Sequence, residues 1–171
     1  MGTRHLIKVK YKGEIKVAQY GQWDGYPDGQ GLDILKFLRN NIKVEELKEK
    51  LSKVRFLDKE GKDKEFIDSY NKNAPEWSSE PDKRTEEQKR WFRSFATRDL
   101  GAEILYSIIN SEDEEILLEE DSGEGCEGFF TIDLDKMTYK VKFYSQRETF
   151  DINNLPDEED FKQKFKEEED E

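Results

Sequence analysis

Residues 5–20 alternate apolar and polar side chains twice. Ile7, Val9 and Tyr11 alternate with Leu6, Lys8 and Lys10, and after Lys12-Gly13, Ile15 and Val17 alternate with Glu14, Lys16 and Ala18. A period of two puts neighbouring residues on opposite faces of an extended chain, and the short Lys-Gly break suits a tight hairpin turn. The stretch therefore reads as a β-hairpin with one apolar and one lysine-rich face. That is the pattern expected of a sheet covered on one side.

The rest of the chain supplies that cover. Asp33 opens a helix carrying Ile34, Leu35 and Leu38, which Asn40-Asn41 ends; a second helix over 44–53 carries Val44, Leu47 and Leu51. Residues 54–66 read as a weak polar strand or hairpin around Asp58–Asp63. The stretch 71–84, with two prolines and Trp77, reads as a surface excursion and Trp77 as a contact residue for a partner. Thr85-Glu86-Glu87-Gln88 has the form of a helix start, and Trp91, Phe95, Leu100, Ile104, Leu105 and Ile108 keep helical spacing to about Asn110. FFTIDL (129–134) and TYKVKFY (138–144) flank a second hairpin, and Pro156 introduces a short helix with Phe161 and Phe165 four apart. The expected class is α+β: a mainly antiparallel sheet, from N-terminal and C-terminal hairpins, packed with helices. We read 1–156 as a single domain and 157–171 as an acidic C-terminal helix and tail.

Charge restricts the partners. Among 171 residues, 41% are charged and only 33% hydrophobic, with a net charge of −12. Residues 111–128 hold nine acids and no base, and read as a solvated loop or, more sharply, as an acidic face for a basic partner. Nucleic acid is an unlikely partner for so acidic a chain, although imitation of nucleic acid would fit. Apolar runs are too short for a membrane span and the opening residues lack a secretory stretch, so a cytoplasmic location is expected. One cysteine, Cys126, excludes an internal disulfide and a Cys-based zinc cluster, and its acidic neighbours should raise the thiol pKa. With one histidine, His5, no multi-histidine metal site is possible. No phosphate-binding glycine pattern occurs, and no cofactor or metal is expected.

The segment Gln19-Tyr20-Gly21-Gln22-Trp23-Asp24-Gly25-Tyr26-Pro27-Asp28-Gly29-Gln30-Gly31 is too rich in glycine for a regular element. It crowds flat rings (Trp23, Tyr26), amides (Gln22, Gln30) and a carboxylate (Asp24) immediately after a rigid hairpin. That mixture suits a pocket for a small polar, partly planar ligand, with Arg4, Gln22, Trp23, Asp24, Tyr26, Gln30 and Arg98 as its candidate residues. The bland alternative is a large turn whose rings plug the hairpin end.

The opening GTRHLIKVKYKGEIKVAQYGQWDGYPDGQG resembles a family of small proteins from phages, bacteria and fungi that begin Met-Gly-Thr-Arg and carry QYGQWDGYPxGQG after the hairpin; Arg98-Asp99-Leu100-Gly101-Ala102 extends the likeness. The resemblance implies a phage-type binding protein that engages a small polar ligand or a host protein, with inhibition of a defence system as one outcome. The same segment is similar to the first hairpin of the N-terminal-nucleophile (Ntn) hydrolases. That similarity implies an Ntn-like fold and an amidohydrolase, with Thr3 as nucleophile and Asp24 as the loop carboxylate, Arg4, Gln22 and Arg98 lining the site. A threonine nucleophile uses its own freed α-amine as base, whereas removal of Met1 would expose Gly2.

Overall fold

The computed structural model describes residues 2–73, 83, 85, 86, 89 and 100–166. Arg98, Asp99, Trp77, Trp91 and Phe95 lie outside them, as does most of the helix expected from Thr85.

The opening hairpin forms as its alternation requires: β1 (His5–Tyr11) and β2 (Glu14–Gly21) pair antiparallel. Lys12 and Gly13 turn between them with φ of +52° and +77°, and the Asp135 carboxylate accepts both their N–H groups at 2.7 and 2.9 Å. Those two bonds hold Asp135 below the usual carboxylate range. A bulge between Val9 and Lys10 puts Val17 opposite Val9 but Ile15 opposite Lys10, which leaves Ile15 exposed. The C-terminal hairpin is β5 (Gly128–Asp133) and β6 (Thr138–Phe143), extended by β7 (Gln146–Asp151). β5 pairs parallel with β1, His5 opposite Gly128, which joins both hairpins into one five-stranded sheet of order β2-β1-β5-β6-β7. The fold is thus α+β with a mixed, mainly antiparallel sheet.

Helices cover one face. α1 (Leu32–Leu38) and α2 (Asn41–Leu51) follow the opening loop; Asn40, read as the end of one helix, instead caps the next through Lys43 N–H at 3.1 Å. β3 (Val54–Phe56) leads to α3 (Lys64–Asn73), and α4 (Glu103–Asn110) precedes β4 (Ile116–Leu118). α5 (Glu158–Gln163) closes the described chain, capped by the Asp157 side chain. Ile7, Val9, Val17, Phe130, Ile132, Tyr139 and Val141 from the sheet meet Ile34, Leu35, Phe37, Leu38, Leu47, Ile104, Leu105, Ile108 and Phe161 from the helices in one buried core.

Three expectations change. The 54–66 segment is no hairpin: β3 pairs parallel with β4 in a separate two-stranded sheet. Arg55 grips Asp63 through two hydrogen bonds, 2.6 and 2.8 Å, and also holds Glu115; its guanidinium keeps the Asp63 carboxyl down at about 2. Residues 111–128 are not wholly solvated, because Ile116, Leu117 and Leu118 are all buried between the acids. Nor is the lysine-rich face of the hairpin fully open. Leu6 and Ala18 are buried on it; Asp121 N–H bonds the Ala18 carbonyl, and Gly123 packs so closely on Leu6 and Phe129 that a side chain would not fit.

Candidate functional site

At one edge of the large sheet lie, in order, the end of β2 (Gly21), the starts of β1 (His5) and β5 (Gly128), and the end of β6 (Phe143). The chain leaving Gly21 crosses these ends in turn. Gly25 N–H donates to the Thr3 carbonyl at 2.9 Å, and the Gly25 carbonyl presses on Gly128, where a Cβ would collide with it. Tyr26 then reaches the Phe143 ring, 5.5 Å between centroids. Beyond it the chain drops to the helical side through a wide helical turn, Pro27–Gly31, broken only at Gly29. The Tyr139 hydroxyl donates to the Gly31 carbonyl at 2.7 Å, and Gln30 N–H donates to the Asp24 carbonyl at 2.9 Å. The glycines do permit an ordered element here, contrary to the reading of 21–31 as irregular throughout.

This path decides where the candidate side chains point. Because the backbone itself lies against the strand ends, the rings face outward: Trp23 is 52% and Tyr26 47% exposed, and Asp24 is exposed at a φ of +56°. The expected concavity between Trp23, Asp24 and Tyr26 is therefore replaced by a projecting edge. One side of the Trp23 ring rests on Gly2, which has no room for a Cβ. Tyr144, 65% exposed at the β6–β7 turn, stands edge-on to Phe143 at 4.7 Å and prolongs the aromatic row. Sequence reading missed Phe143 and Tyr144, which passed as hairpin residues; the only signal was an aromatic pair at a turn.

The remaining candidates separate. Arg4 is spent on Glu127, whose carboxylate accepts from its guanidinium at 2.8 Å and from its backbone N–H at 2.7 Å; the pairing raises Arg4 and lowers Glu127. Gln22 is half-buried, its carbonyl against Gly2. Thr3 is held through its carbonyl next to the Asp24 loop. Burial pushes the Cys126 thiol up to about 11, with Asp121 and Glu127 adding to it, so it is no nucleophile at neutral pH. His5 is buried beneath the loop, its ring in contact with Phe130 and so close to Gly21 that a Cβ there would collide with it.

Gln30 turns away from the aromatic edge. Its Oε1 accepts the Ala102 N–H at 2.7 Å, and its carboxamide lies on Gly101, whose φ of +56° and lack of a Cβ make the contact possible. Two segments singled out separately in the sequence, GQG and LGA, thus meet across 72 positions. Beside them opens a cleft of about 460 Å³ lined by Gln30, Asp33, Lys36, Ala102, Glu103 and Tyr106, among others. No group of three His, Cys, Asp or Glu residues able to hold a metal occurs among the described residues, and no described helix is long and apolar enough to cross a membrane.

The crossing of Gly25 over Gly128 gives a direct prediction. Gly128→Ala is expected to cost about 1–3 kcal/mol, because backbone rather than a flexible side chain must move. Thermal unfolding checks it: a midpoint equal to that of the wild type would mean that the loop does not lie on β5.

Compared with protein-family models, curated proteins and solved structures, the chain matches none of them.

Proposed function

We propose that this is a non-catalytic binding protein of phage type, and that a host protein docks on its aromatic edge. The observation that supports this reading is the exposure of Trp23, Tyr26 and Tyr144 along a backbone tied down at Thr3, Gly128 and Gly31. Exposed rings on a rigid frame lose little entropy on binding and are the residues that dominate interface energies. The acidic setting favours a basic partner surface and a salt-sensitive association rate.

The test is affinity capture with host extract, comparing wild type with the triple variant Trp23→Ala, Tyr26→Ala, Tyr144→Ala. These side chains are too exposed to carry much of the fold, so the variant is expected to stay folded and lose the captured protein. Equal capture by both proteins would return the loop to a purely structural role.

The Ntn-type amidohydrolase with Thr3 as nucleophile has one favouring observation, the hydrogen bond that sets Thr3 beside the Asp24 loop. Against it, Gly2 is packed into Gln22 and Trp23 rather than poised for removal. Intact-mass measurement separates the two: a chain starting at Thr3 supports the hydrolase, whereas a retained Gly2 leaves the α-amine of Thr3 in a peptide bond and useless as a base.

A further inference from the structure

The cleft between α1 and α4 lies apart from the aromatic edge. Its volume, about 460 Å³, falls within the usual range for small-molecule sites. Asp33 and Lys36 line it from α1, three residues apart and so on one helical face; Glu103, Tyr106 and Asn110 line it from α4 at the same kind of spacing. The opposite faces of both helices, Ile34, Leu35 and Leu38 on one and Ile104, Leu105 and Ile108 on the other, belong to the core. The cleft walls are therefore held by the packing beneath them.

Two further contacts fix its shape. The Gln30 carboxamide, bonded to Ala102 N–H and seated on Gly101, ties the loop to the start of α4. Tyr106 stands at right angles to the buried Phe37 ring at 5.1 Å, and the Lys43 ammonium lies 4.7 Å from its centroid. These two contacts hold the Tyr106 ring at the wall of the cleft.

The charges in this cleft are unbalanced. Neither the Asp33 nor the Glu103 carboxylate has an ion-pair or hydrogen-bond partner among the described residues, whereas the carboxylates of Asp63 and Glu127, elsewhere in the fold, are engaged by arginines. Partial desolvation, and after it the charge of Asp24, raises the Asp33 carboxyl against the pull of Lys36. Lys36 is itself shared with Glu158 at 3.8 Å. Two carboxylates from two helices thus face one cleft whose single lysine is drawn toward Glu158, an excess of negative charge that a bound cation would offset. The amides of Gln30 and Asn110 can orient the polar remainder of such a ligand.

We propose that the cleft between α1 and α4 binds a small organic cation, an alkylamine or guanidine whose charged head lies against Asp33 and Glu103. This goes beyond the protein-docking reading and does not depend on it.

The test is an NMR titration of the full chain with agmatine, which carries both kinds of head group, and with acetate as the anionic counterpart. Saturable shifts confined to residues 30–36 and 100–110 are expected with agmatine and none with acetate. Asp33→Asn should weaken the agmatine response about tenfold, the loss of one well-placed charge contact of about 1.4 kcal/mol. Asp33 is exposed at the helix surface, so the variant folds, and an unchanged melting midpoint verifies that. The proposal is overturned by no saturable shift, by an equal response from Asp33→Asn, or by shifts centred on the acidic segments 112–127 and 157–166, which would mark diffuse charge attraction. Binding of acetate at Lys36 in place of agmatine would overturn it equally.

Discussion

Replacing Phe161 with alanine is expected to destabilise the protein by about 3–5 kcal/mol, the usual cost of emptying a buried aromatic site. Phe161 comes from the short, acid-rich α5, yet it is fully buried, with Tyr139 stacked 6.3 Å away and Phe150 and Phe165 at 5.1 and 5.2 Å. Those rings belong to β6, β7 and the turn that follows α5, so a cavity there loosens the outer half of the sheet as well as the helix. For a chain of this size the loss should lower the unfolding midpoint by on the order of 10 °C. Phe165→Ala, at a half-buried position, serves as comparison and should cost less. A Phe161→Ala variant that melts within a degree or two of wild type would mean that α5 merely rests on the domain.

The second large effect is a pH dependence that originates at His5. The ring is 1% exposed, neither nitrogen has a hydrogen-bond partner of good geometry, and burial lowers its pKa from 6.5 to about 4. The Trp23 backbone and the Asp24 carboxylate favour the charged ring but are outweighed. The folded state therefore holds His5 neutral while the unfolded chain takes up a proton below pH 6.5. Stability from this group is complete above about pH 6.5, falls as the pH drops, and levels out near pH 4. A shift of that size corresponds to about 3 kcal/mol over the window. Many carboxylates titrate nearby, so the informative quantity is a difference. Between pH 7 and pH 4 wild type should lose about 3 kcal/mol more than His5→Leu, as followed by denaturant unfolding. Parallel curves for the two proteins would show that His5 is not buried neutral.

Much of this architecture is legible in the residue pattern where one physical constraint dominates locally. The period-two alternation of 5–20 and 129–144 fixes both hairpins, and Pro156 followed by acids, with Phe161 and Phe165 four apart, marks α5. β7 is not legible, because Gln146–Asp151 buries little but Phe150 and so lacks an apolar period. β4 is masked by the acids on either side of Ile116–Leu118, whose burial depends on a parallel partner more than fifty residues earlier. At the candidate site, the directions of the side chains are not legible in the sequence. The mixture of rings, amides and a carboxylate around Trp23 suggests a pocket, but Gly25 and Gly128 serve the close passage of one backbone over another, and that passage turns the rings outward. The pairing of Arg4 with Glu127 is equally hidden, because it depends on β1 meeting β5, which Glu127 immediately precedes, 123 positions along the chain. The cleft depended on an even longer reach, from Gln30 to Ala102.

Hydrogen exchange at the Gly25 amide, followed residue by residue in the wild-type protein, bears most directly on the aromatic edge. A loop lashed across the ends of β1 and β5 keeps this N–H on the Thr3 carbonyl, and its exchange should be slowed to the rate of neighbouring strand amides in β1. Exchange at the rate of an unprotected chain would contradict the account, since the rings of Trp23 and Tyr26 would then ride on a free loop and offer no fixed surface to a partner.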